Sequence, residues 1–206
     1  VWDTFARARS AAFDVDALAS TRPIEFPVVT PQDAEGMFDL LTYEKGASVV
    51  RMLEQYLGAE VFREGVRHYL DTHSYANTET TDLWASLETV SGQPVQSLMH
   101  DWIYQGGHPI ITATATPHGL RVEQRAFTLD PKVADDRTWS VPLVIRHDGE
   151  ITSALLTEGS MLLTGITGTP TTVNAGAAGF FRTAIDEAIL ADLEASGPGD
   201  RTPTER

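Results

Sequence analysis

Gln105-Gly106-Gly107-His108-Pro109-Ile110-Ile111-Thr112-Ala113-Thr114-Ala115 is the stretch in which the hydrophobic period of this 206-residue chain changes. Its first residues close a helical pattern and carry two glycines. From Ile110 onward apolar residues alternate with threonine, the two-residue period of a strand with one buried face. Reading outward from this point divides the chain into a helical part and a β part, an α+β arrangement in two parts.

Towards the amino end the pattern is helical. Val49, Val50, Met52, Leu53, Tyr56 and Leu57 form one apolar face from Lys45 onward, and Gly58 is placed to end that helix in a left-handed cap. Val61, Phe62, Val66, Tyr69 and Leu70 repeat the pattern. Thr80, Thr81 and Asp82 are capping candidates for a helix carrying Leu83, Trp84, Leu87 and Val90, with Gly92 at its end. Pro94 opens another with Val95, Leu98, Met99, Trp102 and Ile103. Residues 1–20 also read as helical, whereas Thr21 to Gln32, with Pro23, Pro27 and Pro31, reads as an irregular crossing loop.

Towards the carboxyl end the punctuation is that of a small β-sandwich. Ile110–Ala115, Leu120–Phe127 and Val141–Arg146 read as strands, and Asp148-Gly149 is a hairpin-turn signal. Leu155–Ile166, Thr171–Asn174 and the Phe180-Phe181 segment are expected to add strands. Ile185–Leu193 has a helical pattern, and Ser196–Arg206 is polar with Pro and Gly. The expected division is residues 1–108 helical, 109–183 sandwich, and 184–206 either the start of a helical domain or a frayed tail.

Composition excludes several classes of function. Lys+Arg is 15 against Asp+Glu 29, a formal net charge of −14. Nucleic-acid binding needs cations that displace counterions, so no nucleic-acid partner is expected. An anionic membrane surface is disfavoured for the same reason, and no run approaches the ~20 apolar residues of a spanning helix. With no cysteine, disulfides and Cys-ligated metals are ruled out. The chain opens on Val1, not Met, so an upstream portion is expected; a soluble, cytoplasmic setting is the expectation for the whole.

Catalytic motifs are scarce. His68 and His73 are five apart, which misses the placement that puts two imidazoles on one helix face, and His100, His108, His118 and His147 lack ligand spacing. All six are expected to be surface or locally hydrogen-bonded. No Gly-x-Ser-x-Gly elbow occurs, and the Asn174–Gly179 run is expected to be a tight turn between strands rather than a phosphate loop.

The run Met37-Phe38-Asp39-Leu40-Leu41-Thr42-Tyr43-Glu44-Lys45-Gly46-Ala47 resembles the Tyr-x-Lys-Gly-Ala segment of the M1 (aminopeptidase N-like) zinc aminopeptidases. The resemblance continues through Val50-Arg51-Met52-Leu53, Tyr56-Leu57-Gly58, Phe62, Gly65, Tyr69-Leu70, His73 and Tyr75-Ala76-Asn77. It extends through Asp82-Leu83-Trp84, Ser91-Gly92, Val95, Met99, Trp102 and Gln105-x-Gly107-x-Pro109, covering roughly residues 20–110. Trp2–Phe13, Val173-Asn174-Ala175-Gly176, Gly179-Phe180-Phe181-Arg182 and Thr202-Pro203-Thr204-Glu205-Arg206 extend it more loosely. Where the family commonly has Ser-His-Pro-Ile, this chain has Thr21-Arg22-Pro23-Ile24.

The resemblance implies an internal fragment: the helical C-terminal half of a thermolysin-like catalytic domain followed by the family's β-sandwich. It implies zinc as the parent enzyme's cofactor, peptides as substrates, and further domains of the same protein on both sides. Its His-Glu-x-x-His, distal Glu ligand and Gly-x-Met-x-Asn loop are absent from this chain, so no metal ligands and no activity of the isolated chain are expected. Tyr43 falls at the position whose hydroxyl faces the attacked carbonyl and is the one catalytic residue implied. Glu44 and Lys45 are read as an exposed charge pair at a helix start, Asp39 as a loop-holding residue, and Trp84 and Trp102 as core. A non-catalytic peptide- or protein-binding module derived from the same fold is the competing reading.

Overall fold

A computed structural model of the chain describes residues 2–130, 132, 135–166 and 172–195. Among the described residues six α-helices come first, six strands follow, and a seventh helix closes the order. The helices are α1 (Trp2–Asp16), α2 (Pro31–Gly36), α3 (Gly46–Leu57), α4 (Ala59–Thr72), α5 (Thr80–Ser91), α6 (Val95–Ile103) and α7 (Glu187–Ala195), with a π-helical turn at Leu41–Lys45 ahead of α3.

The apolar stripes bury as their spacing requires. Val49, Met52 and Leu53 of α3, Trp84 and Leu87 of α5, and Val95, Leu98, Met99 and Trp102 of α6 enter one core. Gly65 of α4 lets Leu87 of α5 approach so closely that a Cβ there would lie 2.5 Å from Leu87 Cδ2 and 3.1 Å from Leu87 Cα. Gly92 ends α5 in the left-handed region (φ 66°, ψ 9°). Gly58 differs from expectation: its φ of 85° is positive but its ψ is 144°, because the chain turns straight into α4 instead of closing a left-handed cap. The residue ahead of α5 is Glu79, not a threonine; its N–H donates to Asp82 Oδ2 at 2.8 Å, so Asp82 closes the first turn. Pro31 belongs to α2, not to the loop, since its fixed φ suits the first helical position and Thr30 caps it.

Strands β1 (Pro109–Thr116), β2 (Gly119–Ala126), β3 (Val141–His147), β4 (Glu150–Leu156), β5 (Ser160–Leu163) and β6 (Arg182–Ile185) form two sheets. One has the order β5-β2-β1-β6, with β1 antiparallel to β2 and parallel to β6; the other is the β3–β4 hairpin. Asp148 (φ 49°) and Gly149 (φ 79°) both take positive φ at the hairpin tip, the turn that matches strand twist. Ile111, Ala113, Leu120 and Val122 of the larger sheet and Leu143, Ile145 and Leu156 of the hairpin belong to the same apolar cluster as the helices.

Three strand expectations are corrected. Leu155-Leu156 closes β4, and only Ser160–Leu163 of the following stretch is a strand. Thr172 and Asn174 form bridges to Arg146 and Val144 instead of a strand of their own. Phe180-Phe181 precedes β6 and is buried, the Phe180 ring stacking on Phe13. The expectations for Ser196–Arg206, including the Thr202–Arg206 resemblance, lie outside the described residues.

The two parts are joined by specific polar contacts as well as by the core. Trp102 Nε1 donates to Ser140 O at 2.9 Å, while Asp101 Oδ2 accepts from Ser140 N and Oγ, both at 2.8 Å. Within the β part, buried Gln124 ties β2 to two neighbouring segments: its Nε2 donates to Trp139 O and Glu158 O at 2.8 Å each, and its Oε1 accepts from Trp139 N at 2.9 Å.

Candidate functional site

Tyr43 lies in the middle of the π-helical turn, and the turn explains its direction. Leu41 and Lys45, four residues apart, share the inner face and are buried; Tyr43, between them, projects outward and is 57% exposed. Gly46 N–H reaches back to Leu41 O, the wide spacing that defines the turn. At the front end, Asp39 Oδ1 accepts from Leu41 N at 2.9 Å and Thr42 N at 3.0 Å, satisfying two amides that a helix start leaves free. Asp39 thus holds the loop, as its sequence position implies. The Phe38 ring stands 6.4 Å from the Tyr43 ring.

The back end is tied to a buried polar cluster. Lys45 Nζ donates to Asp16 at 3.0 Å (Oδ2) and 3.2 Å (Oδ1), to Gly107 O at 2.9 Å and to Gln105 O at 3.4 Å. Asp16 Oδ1 also accepts from Thr21 Oγ1 at 2.7 Å and Gly107 N at 3.0 Å, and Oδ2 lies 3.2 Å from His108 Nδ1. The side chains of Asp16, Lys45 and His108 are fully buried. One carboxylate therefore joins the end of α1, the Tyr43 turn and the junction where helices give way to sheets.

Two expectations are corrected here. Lys45 is no exposed partner of Glu44; it is a buried partner of Asp16. His108 is neither a surface residue nor locally bonded, since its partner is 92 positions away. Its ring is surrounded by Phe13 (4.8 Å), Phe127 (5.5 Å) and Phe180 (5.6 Å). Lys45 was findable: it precedes Val49 by four positions and Met52 by seven, on the buried stripe of α3. Asp16 and His108 carry no comparable signal. The other five histidines lie at or near the surface, His147 bonded to Thr152 Oγ1 at 2.8 Å.

Burial pushes the Asp16 carboxyl up, but the His108 hydrogen bond, the Lys45 charge and the Thr21 hydroxyl outweigh it and hold the group at about 2. Burial lowers His108, against the opposing pull of Asp16, and lowers Lys45, again against Asp16. The arrangement is a Lys45–Asp16 ion pair with a neutral imidazole donating Nδ1–H to the same carboxylate.

What this element offers chemically is a phenolic O–H held at the surface on a turn fixed at both ends. Such a group donates one hydrogen bond to a developing negative charge. Among the described residues no three His, Cys, Asp or Glu side chains come together in a set that would hold a metal ion.

Comparison with known proteins covers the same stretch. Residues 1–102 match the model of the peptidase family M1 domain. The chain is 39% identical over 145 residues to Aminopeptidase M1-D of Oryza sativa subsp. japonica, covering 70% of this chain and 16% of that protein. It is 34% identical over 189 residues to Tricorn protease-interacting factor F2 of Thermoplasma acidophilum, covering 90% of this chain and 23% of that protein. With Aminopeptidase M1 of Arabidopsis thaliana it shares 33% identity over 212 residues, 94% of this chain and 24% of the relative. The chain thus spans less than a quarter of the length of these relatives. The buried Lys45–Asp16 pair and the Tyr43 turn both fall within the matched domain, and this chain belongs to peptidase family M1.

Proposed function

We propose that this chain is a segment of a zinc-dependent metallo-aminopeptidase that removes N-terminal residues from peptides, and that Tyr43 is its oxyanion donor. The supporting observation is the outward phenol on a turn anchored by Asp39 at one end and by the buried Lys45–Asp16 pair at the other. When the carbonyl carbon of the first peptide bond is attacked, its oxygen gains charge. The Tyr43 O–H donates one hydrogen bond to that oxygen and keeps its own proton. The donor is placed before reaction, so little reorganisation is needed as charge develops.

Zinc in this reading belongs to the rest of the enzyme. The chain contains no His-Glu-x-x-His, and its described residues do not fit a zinc site, so no step here runs through the metal. Residues 1–108 would form part of the catalytic domain and 109–183 the sandwich beside it, with the isolated chain inactive.

The test is Tyr43→Phe in the full-length protein, assayed on an aminoacyl anilide. Losing one such donor is expected to lower kcat about 10²–10³-fold with little change in KM. A variant within about threefold of wild type would remove Tyr43 from the chemistry. Reading the coding sequence upstream of Val1 separates this function from a non-catalytic binding module: an in-frame His-Glu-x-x-His supports the enzyme, and a start codon immediately before Val1 supports the module.

A further inference from the structure

We propose that Arg22 is a positioning residue for Tyr43, an inference that rests on the catalytic reading of Tyr43 above. The two ends of the Tyr43 turn are held by different physics. Lys45, at the back, is anchored in the core. The front is approached through residues 25–40, none of which is buried. Val29 is 85% exposed and Phe38 74% exposed, and α2 contributes no buried side chain. Apolar burial therefore does not place this segment; hydrogen bonds do.

Arg22 supplies the bonds that link it to the turn. Its Nη2 lies 2.7 Å from Asp39 Oδ1, 3.1 Å from Gly36 O and 3.1 Å from Thr42 Oγ1. Its Nη1 donates to Pro23 O at 2.7 Å and reaches Ile24 O at 3.4 Å. The guanidinium lies 4.7 Å from the Phe26 ring centre, and its side chain is only 23% exposed. One planar group thus gathers its own strand of loop, the end of α2, and the residue next to Tyr43. The carboxylate oxygen it binds is the one that caps Leu41 and Thr42, so the guanidinium orients the cap of the catalytic turn.

The fork geometry matters. A guanidinium presents several donors in fixed directions, whereas an ammonium is a single point charge that cannot reach Pro23, Gly36, Asp39 and Thr42 together. Without Arg22, the 40%-exposed Asp39 side chain is free to turn to water, and the turn loses its front anchor while the core stays intact. Small displacements of a positioned group are costly in rate.

The test uses the full-length enzyme with Arg22→Ala, Arg22→Lys, Tyr43→Phe and the Arg22→Ala/Tyr43→Phe double variant. Arg22→Ala is expected to lower kcat about tenfold or more while changing KM less than about threefold, with an unchanged unfolding midpoint. Arg22→Lys is expected to fall nearly as far. Added guanidinium at low concentration is expected to restore part of the activity of Arg22→Ala and none of that of Tyr43→Phe. In the Tyr43→Phe background, Arg22→Ala is expected to cost nothing further, because residues acting as a unit are not additive. Multiplicative losses in the double variant, no rescue, full activity of Arg22→Lys, or a kcat loss accompanied by lost stability would each overturn the proposal. If instead Tyr43→Phe alone is fully active, the catalytic reading fails, which is a different result.

Discussion

Replacing Lys45 by methionine removes the cation from the buried cluster while keeping most of the side-chain volume. Asp16 then loses two contacts, at 3.0 and 3.2 Å, and Gly107 O loses its 2.9 Å donor. The carboxylate keeps Thr21 Oγ1, Gly107 N and His108 Nδ1. Removing one partner of a buried pair costs about 3–5 kcal/mol, and the three surviving donors place this case near the lower end, about 3 kcal/mol. His108 adds a pH signature. The Lys45 charge is one of the influences that keep the imidazole neutral. In Lys45→Met that influence is gone, so His108 takes up a proton more readily and becomes the missing cation. The penalty relative to wild type should therefore be full at high pH, where His108 is neutral in both proteins, and narrow as acid protonates His108 in the variant first. Urea unfolding of both proteins at about pH 8 and about pH 5.5 measures it. Adding Asp16→Asn should recover most of the loss, since no buried charge then remains without a counter-ion. A penalty below about 1 kcal/mol, or one independent of pH, would refute this account of the cluster.

Acid should expose the same cluster in the unmodified chain. Asp16 is held at about 2 against an ordinary value of 3.8, so its contribution is complete above 3.8 and is lost as pH falls towards 2. That depression is worth roughly 2 kcal/mol, and Asp16→Asn/Lys45→Met should lack this part of an acid-unfolding curve. Gly65→Ala places a Cβ 2.5 Å from Leu87 Cδ2 and 3.1 Å from Leu87 Cα. Forcing α4 off α5 should cost about 1–3 kcal/mol in a urea melt despite alanine's better helix propensity; no loss would show that Leu87 moves freely. The kinetic losses given for Tyr43→Phe and Arg22→Ala complete the set.

Local pattern determined much of the fold. The three- and four-residue spacing of Val49, Met52 and Leu53 defined the buried face of α3. Alternation from Ile110 defined β1, and Asp148-Gly149 defined the hairpin, because each of these signals acts within a few residues. The same logic placed Trp84 and Trp102 in the core. Tyr43 was singled out by family resemblance alone; nothing in its immediate chemistry distinguishes it from any amphipathic tyrosine at a helix start.

Tertiary structure decided the polar framework. Asp16 meets His108 across 92 positions and Lys45 across 29, and neither spacing leaves a trace in local periodicity. Thr172 joins Arg146 only because the chain returns to that edge, and Phe180 becomes a core ring because Phe13 stacks on it at 4.2 Å. Arg22 reads as an ordinary loop arginine until folding brings Gly36, Asp39 and Thr42 around it. Periodicity records which face of an element leaves water, an effect repeated at every turn of the helix or strand. Which charge a buried lysine meets, and which arginine gathers the Asp39 cap and Thr42, depends on single contacts between distant segments, and those exist only once the chain has closed on itself.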